Sequence, residues 1–187
     1  MKKSVIICLF VVLVLGGGYL GLKFYLNKDL EKQNESLNNT ILKYGSVEKE
    51  TVEISVAKFN TQVMKANIIS PASDEYMMTD NNLYWYSLLD GIYLYVKPEN
   101  YSGNKKDDIT KIMTIHYSKN DGVALNYVKA LIKANNDKLT DSDIDYLMNE
   151  AKTLSNAKKN ANNGKGISVS YVKNGEVTEY QVIRLYK

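Results

Sequence analysis

The sequence predicts an α+β fold: an N-terminal transmembrane helix followed by a small domain with an antiparallel sheet of about five strands packed on two or three helices. An apolar run without charge lies close to the N-terminus, and its length matches that of a bilayer-spanning helix. Further along, β-rich runs joined by Asp-Gly and Asn-Gly turns lie on either side of two segments whose apolar residues recur every three to four positions.

The N-terminal segment, residues 1–28, is predicted to be a membrane anchor. Residues 5–22 form a run of 18 without a charge, and residues 4–26 together are long enough to cross the bilayer as a helix. Because two lysines precede the run, we expect the N-terminus in the cytoplasm and the rest of the chain outside, held at the cell membrane. Cleavage after the glycines at 16–18 is the alternative, and it would release a secreted protein.

Residues 29–46 are predicted to form a juxtamembrane helical stalk. Leu30, Leu37 and Ile41 recur at helical spacing, and Gly45 stands where a helix would end. The apolar seam is shorter than the three or four heptads of a typical coiled coil. A monomeric stalk and a homodimer formed through this seam are therefore both open.

The remainder, residues 47–187, is predicted to be one extracytoplasmic α+β domain of nearly neutral charge. Four of the 24 basic residues precede Asp29, whereas all 21 acidic residues follow Lys28. This balance lacks the basic surface that nucleic acid requires, so we expect no nucleic-acid partner. No cysteine follows Cys8, so the domain cannot form disulfides. The abundance of residues with AT-rich codons (Lys, Asn, Tyr, Ile) indicates a bacterial genome of low GC content.

Three segments of this domain have the periodicity of helices. Residues 52–64 place their valines and phenylalanine on one helical face, although Val52, Ile54 and Val56 also alternate as in a strand. Residues 120–135 and 140–154 form two further amphipathic faces, and we expect them to pack as an αα-hairpin or a bent pair. Thr140 and Asp143 resemble a capping box at the start of the last helix.

The strands are predicted on both sides of this helical pair. Residues 83–88 and 92–96 read as a hairpin closed by Asp90-Gly91, after a loop at residues 68–82. Residues 111–117 form a predicted third strand.

The closing hairpin is centred on Asn174-Gly175, a strong signal for a type I′ turn. Lys173 opposite Glu176 would place Val169 on the core face and Ser170 on the solvent face.

We assign no catalytic, metal-binding or cofactor-binding residue, and we expect no cofactor. His116 is the only histidine, and we expect it to be a partly exposed strand residue on the face opposite Ile115 and Tyr117. The acidic residues within 141–145 resemble the start of a calcium loop, but Tyr146 stands where such a loop needs glycine. Helix capping explains these carboxylates better.

An aromatic cluster within 18 residues is the candidate binding surface. Because side chains alternate along a strand, Tyr84 and Tyr86 should share one face while Trp85 takes the other. A stacking platform for sugar rings or a peptide is one interpretation, and a core with an ordinary sheet surface is the other. The cluster consists of Tyr84, Trp85, Tyr86, Tyr93, Tyr95 and Tyr101.

These patterns favour a non-enzymatic, membrane-tethered extracytoplasmic module that binds a partner protein or a cell-envelope component such as glycan. The alternative is a hydrolase that uses Asp and Glu carboxylates on envelope glycan, with Asp90 and Glu99 as candidates. A deep cleft with two carboxyl groups about 5–10 Å apart would favour the hydrolase. A flat sheet face would favour the binding module.

Overall fold

A computed structural model describes residues 45–68, 70–73, 76–78 and 81–186 of the chain. The predicted anchor, residues 1–28, lies outside the described residues. So does nearly all of the predicted stalk at 29–46, together with its apolar seam. Within the described residues, no helix has the length and apolar character needed to cross a membrane.

The described part of the chain forms an α+β domain with an antiparallel sheet, as predicted. Five strands of six to eight residues correspond to the predicted ones. Two further strands of two residues each lie at the sheet edges, and the first of them lies in the segment predicted to be a loop at residues 68–82. The strands are Met77–Met78 (β1), Tyr84–Leu89 (β2), Ile92–Pro98 (β3), Thr110–Tyr117 (β4), Ala161–Asn162 (β5), Ile167–Asn174 (β6) and Val177–Arg184 (β7). Their order is β1-β2-β3-β4-β7-β6-β5.

The helices also follow the predicted segments. They are Val52–Lys65 (α1), Asp121–Asn135 (α2) and Asp141–Leu154 (α3), with a short 3-10 turn at Ser155–Ala157. The capping box at α3 is confirmed, since the Thr140 hydroxyl accepts the Asp143 backbone N–H while the Asp143 carboxylate accepts the Thr140 backbone N–H. The helical interpretation of residues 52–64 is also correct, since these residues lie in α1. One face of α1 is buried, which explains why the helical pattern prevails over the strand pattern.

The two faces of the sheet have different environments. On the inner face, alternate strand residues such as Ile115, Tyr180 and Val182 are fully buried. Helix α2 packs on β4 and β7, α3 packs on β5 and β6, and α1 packs on α2. One continuous apolar core between helices and sheet therefore holds the domain without any disulfide.

The register of the closing hairpin differs from the prediction by two residues. Lys173 pairs with Thr178 rather than with Glu176, and the two turn residues are Gly175 and Glu176. Gly175 has φ of 61° as the first turn residue, which is the position that a type II′ turn reserves for glycine. A shift of two preserves the alternation of faces, so Val169 still points into the core.

A buried tyrosine–carboxylate pair anchors the loop between β3 and β4. The Tyr84 hydroxyl donates to Asp108 Oδ2 at 2.5 Å, and the Ser102 backbone N–H donates to Oδ1 at 2.8 Å. Burial by itself would raise the pKa of Asp108, but these hydrogen bonds outweigh it and hold the pKa below its ordinary value. The Asp108 carbonyl in turn accepts the backbone N–H of Val52, so this pair positions the start of α1.

We expect Val169→Asp to unfold the domain while Ser170→Asp leaves it folded. Val169 is 0% exposed on the inner face, so the substitution buries an unpaired charge and should lower the free energy of unfolding by at least about 4 kcal/mol. Ser170 lies on the other face, and its substitution should cost about 1 kcal/mol or less. Chemical denaturation of the full-length protein in detergent measures both, and equal losses would contradict the assignment of faces.

We expect Tyr84→Phe to lower the free energy of unfolding at pH 7 by about 1–3 kcal/mol, because a buried carboxylate loses its donor. A depressed pKa means that Asp108 stabilises the fold above about pH 4, and this contribution is lost as the pH falls through the lower folded-state value. The difference between the wild type and the variant should therefore shrink when the denaturation is repeated at pH 3. Tyr146→Phe, on an exposed face of α3, is the matched control: it removes a hydroxyl that bonds the Glu150 carboxylate in contact with solvent, so its effect should be much smaller than that of Tyr84→Phe at pH 7.

Candidate functional site

The candidate site is the face of the sheet opposite the helices, here called the outer face. Its strand side chains are mostly half-buried, whereas those of the inner face are fully buried. The pairing of β2, β3, β4 and β7 aligns these side chains in rows that run across the four strands. The residues that define the central part of the outer face are Trp85, Tyr93, Tyr95, His116, Glu179 and Gln181.

One half of this surface is aromatic. Trp85 on β2 lies directly opposite Tyr95 on β3, and Tyr93 is the next β3 residue on the same face. The rings of Trp85 and Tyr93 contact each other with centroids 5.4 Å apart. Strand pairing thus brings three large rings side by side on a surface that no described helix covers.

The other half is polar and is joined to the rings through His116. His116 on β4 lies opposite both Tyr93 and Glu179, and its Nδ1 is 2.9 Å from Glu179 Oε1. Gln181 Nε2 donates to the second carboxylate oxygen at 3.3 Å. Tyr95 meets the imidazole edge-on, with ring centroids 5.5 Å apart. Burial, together with the nearby Glu179 carboxylate, raises the pKa of the Tyr95 hydroxyl, so this group stays protonated as a hydrogen-bond donor.

The structure divides the six aromatic residues of the candidate surface into two sets. Trp85, Tyr93 and Tyr95 are brought together on the outer face. Tyr84 and Tyr86 lie in the core with 0% and 1% exposure, so neither can contact a ligand at the surface. Tyr101 packs against the core, where its ring is 5.7 Å from that of Tyr84.

Sequence reasoning did not connect His116 to Glu179 and Gln181. The face of His116 was predictable from alternation, and so was the polar face of the closing hairpin that carries the other two residues. Their meeting depends on the pairing of β4 with β7, which are separated by both helices of the α2–α3 pair. No local turn signal encodes that pairing.

The carboxylates that the sequence suggested for hydrolysis or metal binding are not brought together in one site. Asp90 and Glu99 flank the two ends of β3, which places them roughly 25 Å apart along an extended strand. Asp143 belongs to the α3 cap, and hydrogen bonds from Lys165 and Thr140 hold its pKa well below the ordinary value. Among the described residues, no group of three His, Cys, Asp or Glu side chains is close enough to hold a metal ion.

Comparisons with protein families, with curated proteins and with solved structures find no match to this chain.

Proposed function

We propose that the protein is a membrane-tethered extracytoplasmic module that binds an envelope glycan on the outer face of its sheet. The observation that carries the proposal is the placement of Trp85, Tyr93 and Tyr95 beside a hydrogen-bonded set of polar side chains. The tether rests on the uncharged run at residues 5–22 and on the lysines that precede it.

A sugar ring needs the two kinds of contact that the outer face offers next to each other. Its C–H face packs on aromatic rings, and its hydroxyl groups need both donors and acceptors. The carboxylate of Glu179 accepts, the amide of Gln181 donates and accepts, and the imidazole of His116 does both. Four paired strands span about 14 Å, which is enough for a short oligosaccharide.

The dimensions of the face favour a glycan over a folded protein partner. A stable protein interface uses about 20–30 residues on each side, whereas the outer face presents about a dozen strand side chains. Hydrolysis would need two carboxyl groups about 5–10 Å apart, as in glycosidases. Among the strand residues of this face, Glu179 is the one carboxylate, and His116 and Gln181 already engage it.

Trp85→Ala and Tyr95→Ala should each weaken binding to purified bacterial peptidoglycan sacculi by about tenfold or more, because each removes a stacking surface. Tyr146→Ala, which removes an exposed tyrosine from α3, is the matched control and should bind as the wild type. A co-sedimentation assay with the full-length protein in detergent measures the three affinities. Binding that is unaffected by both outer-face variants would refute the proposal, as would binding that disappears after the sacculi are treated with protease.

The tether has its own test, which uses protease added to intact cells. A full-length, membrane-bound protein whose domain is digested from outside is the expected result, since the two N-terminal lysines favour that orientation. Intact mass before digestion is the control for processing. A shortened, soluble species would show that the segment is a cleaved signal and would remove the tether from the proposal.

A further inference from the structure

A polar cleft of about 690 Å³ lies apart from the outer face, between the helices and the start of the domain. Residues 45–48, one face of α1, the end of α2 and the loop at Gly164 form its walls, and Arg184 from the inner face of β7 contributes to its floor. Its volume is within the range of small-molecule sites. The cleft takes no part in the proposed glycan site on the outer face.

The walls of the cleft are held by close backbone contact. Gly166 has φ of 81°, and a Cβ added there would lie 2.5 Å from the backbone carbon of Ser46. The Asn136 side-chain amide donates to the Lys165 carbonyl at 2.6 Å and so ties the end of α2 to the same loop. The shape of the cleft is therefore fixed by specific contacts, and glycine at position 166 allows two backbone segments to approach closely.

The ion pairs next to the cleft leave a net positive charge. Arg184 is 1% exposed, and Nη1 and Nη2 both lie 3.1 Å from Glu50 Oε2. Lys58 pairs with the other oxygen of the same carboxylate. One carboxylate thus serves two cations, and this group carries a net positive charge. Lys133 near the end of α2, Lys138 in the loop that follows it and Lys165 add three cations to the lining, whereas Glu48 and Asp137 add two carboxylates, so the lining holds five basic and three acidic side chains.

Two buried polar side chains in the lining are also incompletely satisfied. Arg184 Nε has no hydrogen-bond partner among the described residues, and neither does Asn135 Oδ1, although Asn135 is only 3% exposed. Buried polar groups in native proteins are nearly always paired. Both atoms are closed off from solvent, so they belong to the wall behind the cleft and do not contact what enters it.

We propose that this cleft binds a phosphate group. A carboxylate is best recognised by the two-pronged edge of a guanidinium, but Glu50 occupies Nη1 and Nη2 of Arg184, and Nε is closed off from solvent. The remaining donors in the lining are single lysine ammonium groups. Lys58 of α1 also pairs with Glu50, Lys133 of α2 also donates to the Leu139 carbonyl, and Lys138 lies in the loop after α2. Several point donors around one cavity suit an anion with three free oxygens and nearly two negative charges.

The test measures phosphate binding by ³¹P NMR titration of the full-length protein in detergent at low ionic strength. The probes are inorganic phosphate, glycerol 3-phosphate and glycerophosphoglycerol, which represent free phosphate, a monoester and a lipid-type diester. The wild type should show saturable binding to at least one probe. Lys58→Gln and Lys138→Gln should each weaken that binding about fivefold, whereas Lys173→Gln, on the exposed β6–β7 hairpin, should leave it unchanged.

The results distinguish the possible sources of the phosphate group, and they distinguish the phosphate site from the glycan site. Preference for inorganic phosphate or the monoester would identify a small soluble ligand, and preference for the diester would identify a lipid headgroup or a phosphate-containing polymer. Binding that is absent for all three probes, or that falls equally in Lys173→Gln, would overturn the proposal. Trp85→Ala should bind phosphate as the wild type does, so failure of the glycan proposal and failure of this one are distinguishable.

Discussion

Arg184, the only arginine of the chain, is buried at the end of the last strand, and its need for partners organises the domain. An uncompensated buried charge costs about 3–5 kcal/mol, so the segment that begins at residue 45 must reach the guanidinium. The side chain of Glu50, the Glu48 carbonyl and the Ser55 hydroxyl all do so. This requirement brings the start of the domain against its end, where Val47 pairs with Tyr186, and it seats α1 beside the sheet.

Arg184 is buried on the inner face of the sheet, and the outer face contributes less to the apolar core. Helices α2 and α3 pack on the inner face, and the domain lacks disulfides, so packing on this face supplies the stabilisation. Packing on the outer face is therefore less important for stability. Rings such as those of Trp85 and Tyr93 would bury more apolar area inside the core, and their retention on the outer face is the reason to assign a ligand there.

Local features of the chain could be predicted because local chemistry determines them. The capping box of Thr140 and Asp143 depends on a few adjacent residues, and so does the presence of a glycine turn in the closing hairpin, although the turn is of type II′ at Gly175-Glu176 and not of type I′ at Asn174-Gly175. The error of two residues in the closing hairpin was harmless because side chains alternate with a period of two. The pairing of β4 with β7 and the burial of Arg184 join residues far apart in sequence, so neither had a local signal. Strands of two residues, such as β1 and β5, are too short to show any period.

Strand β7 connects the two proposed sites and also explains why they should act independently. Glu179 and Gln181 project to the outer face, and Arg184 lies on the inner face at the end of the same strand. Coupling between two sites requires an element with two alternative arrangements that both ligands bias. β7 is hydrogen-bonded to β4 on one side and to β6 on the other, with no shift in register in either pairing, so moving this strand would break hydrogen bonds on both sides. Ligands on opposite faces of such a strand should therefore bind without cooperativity.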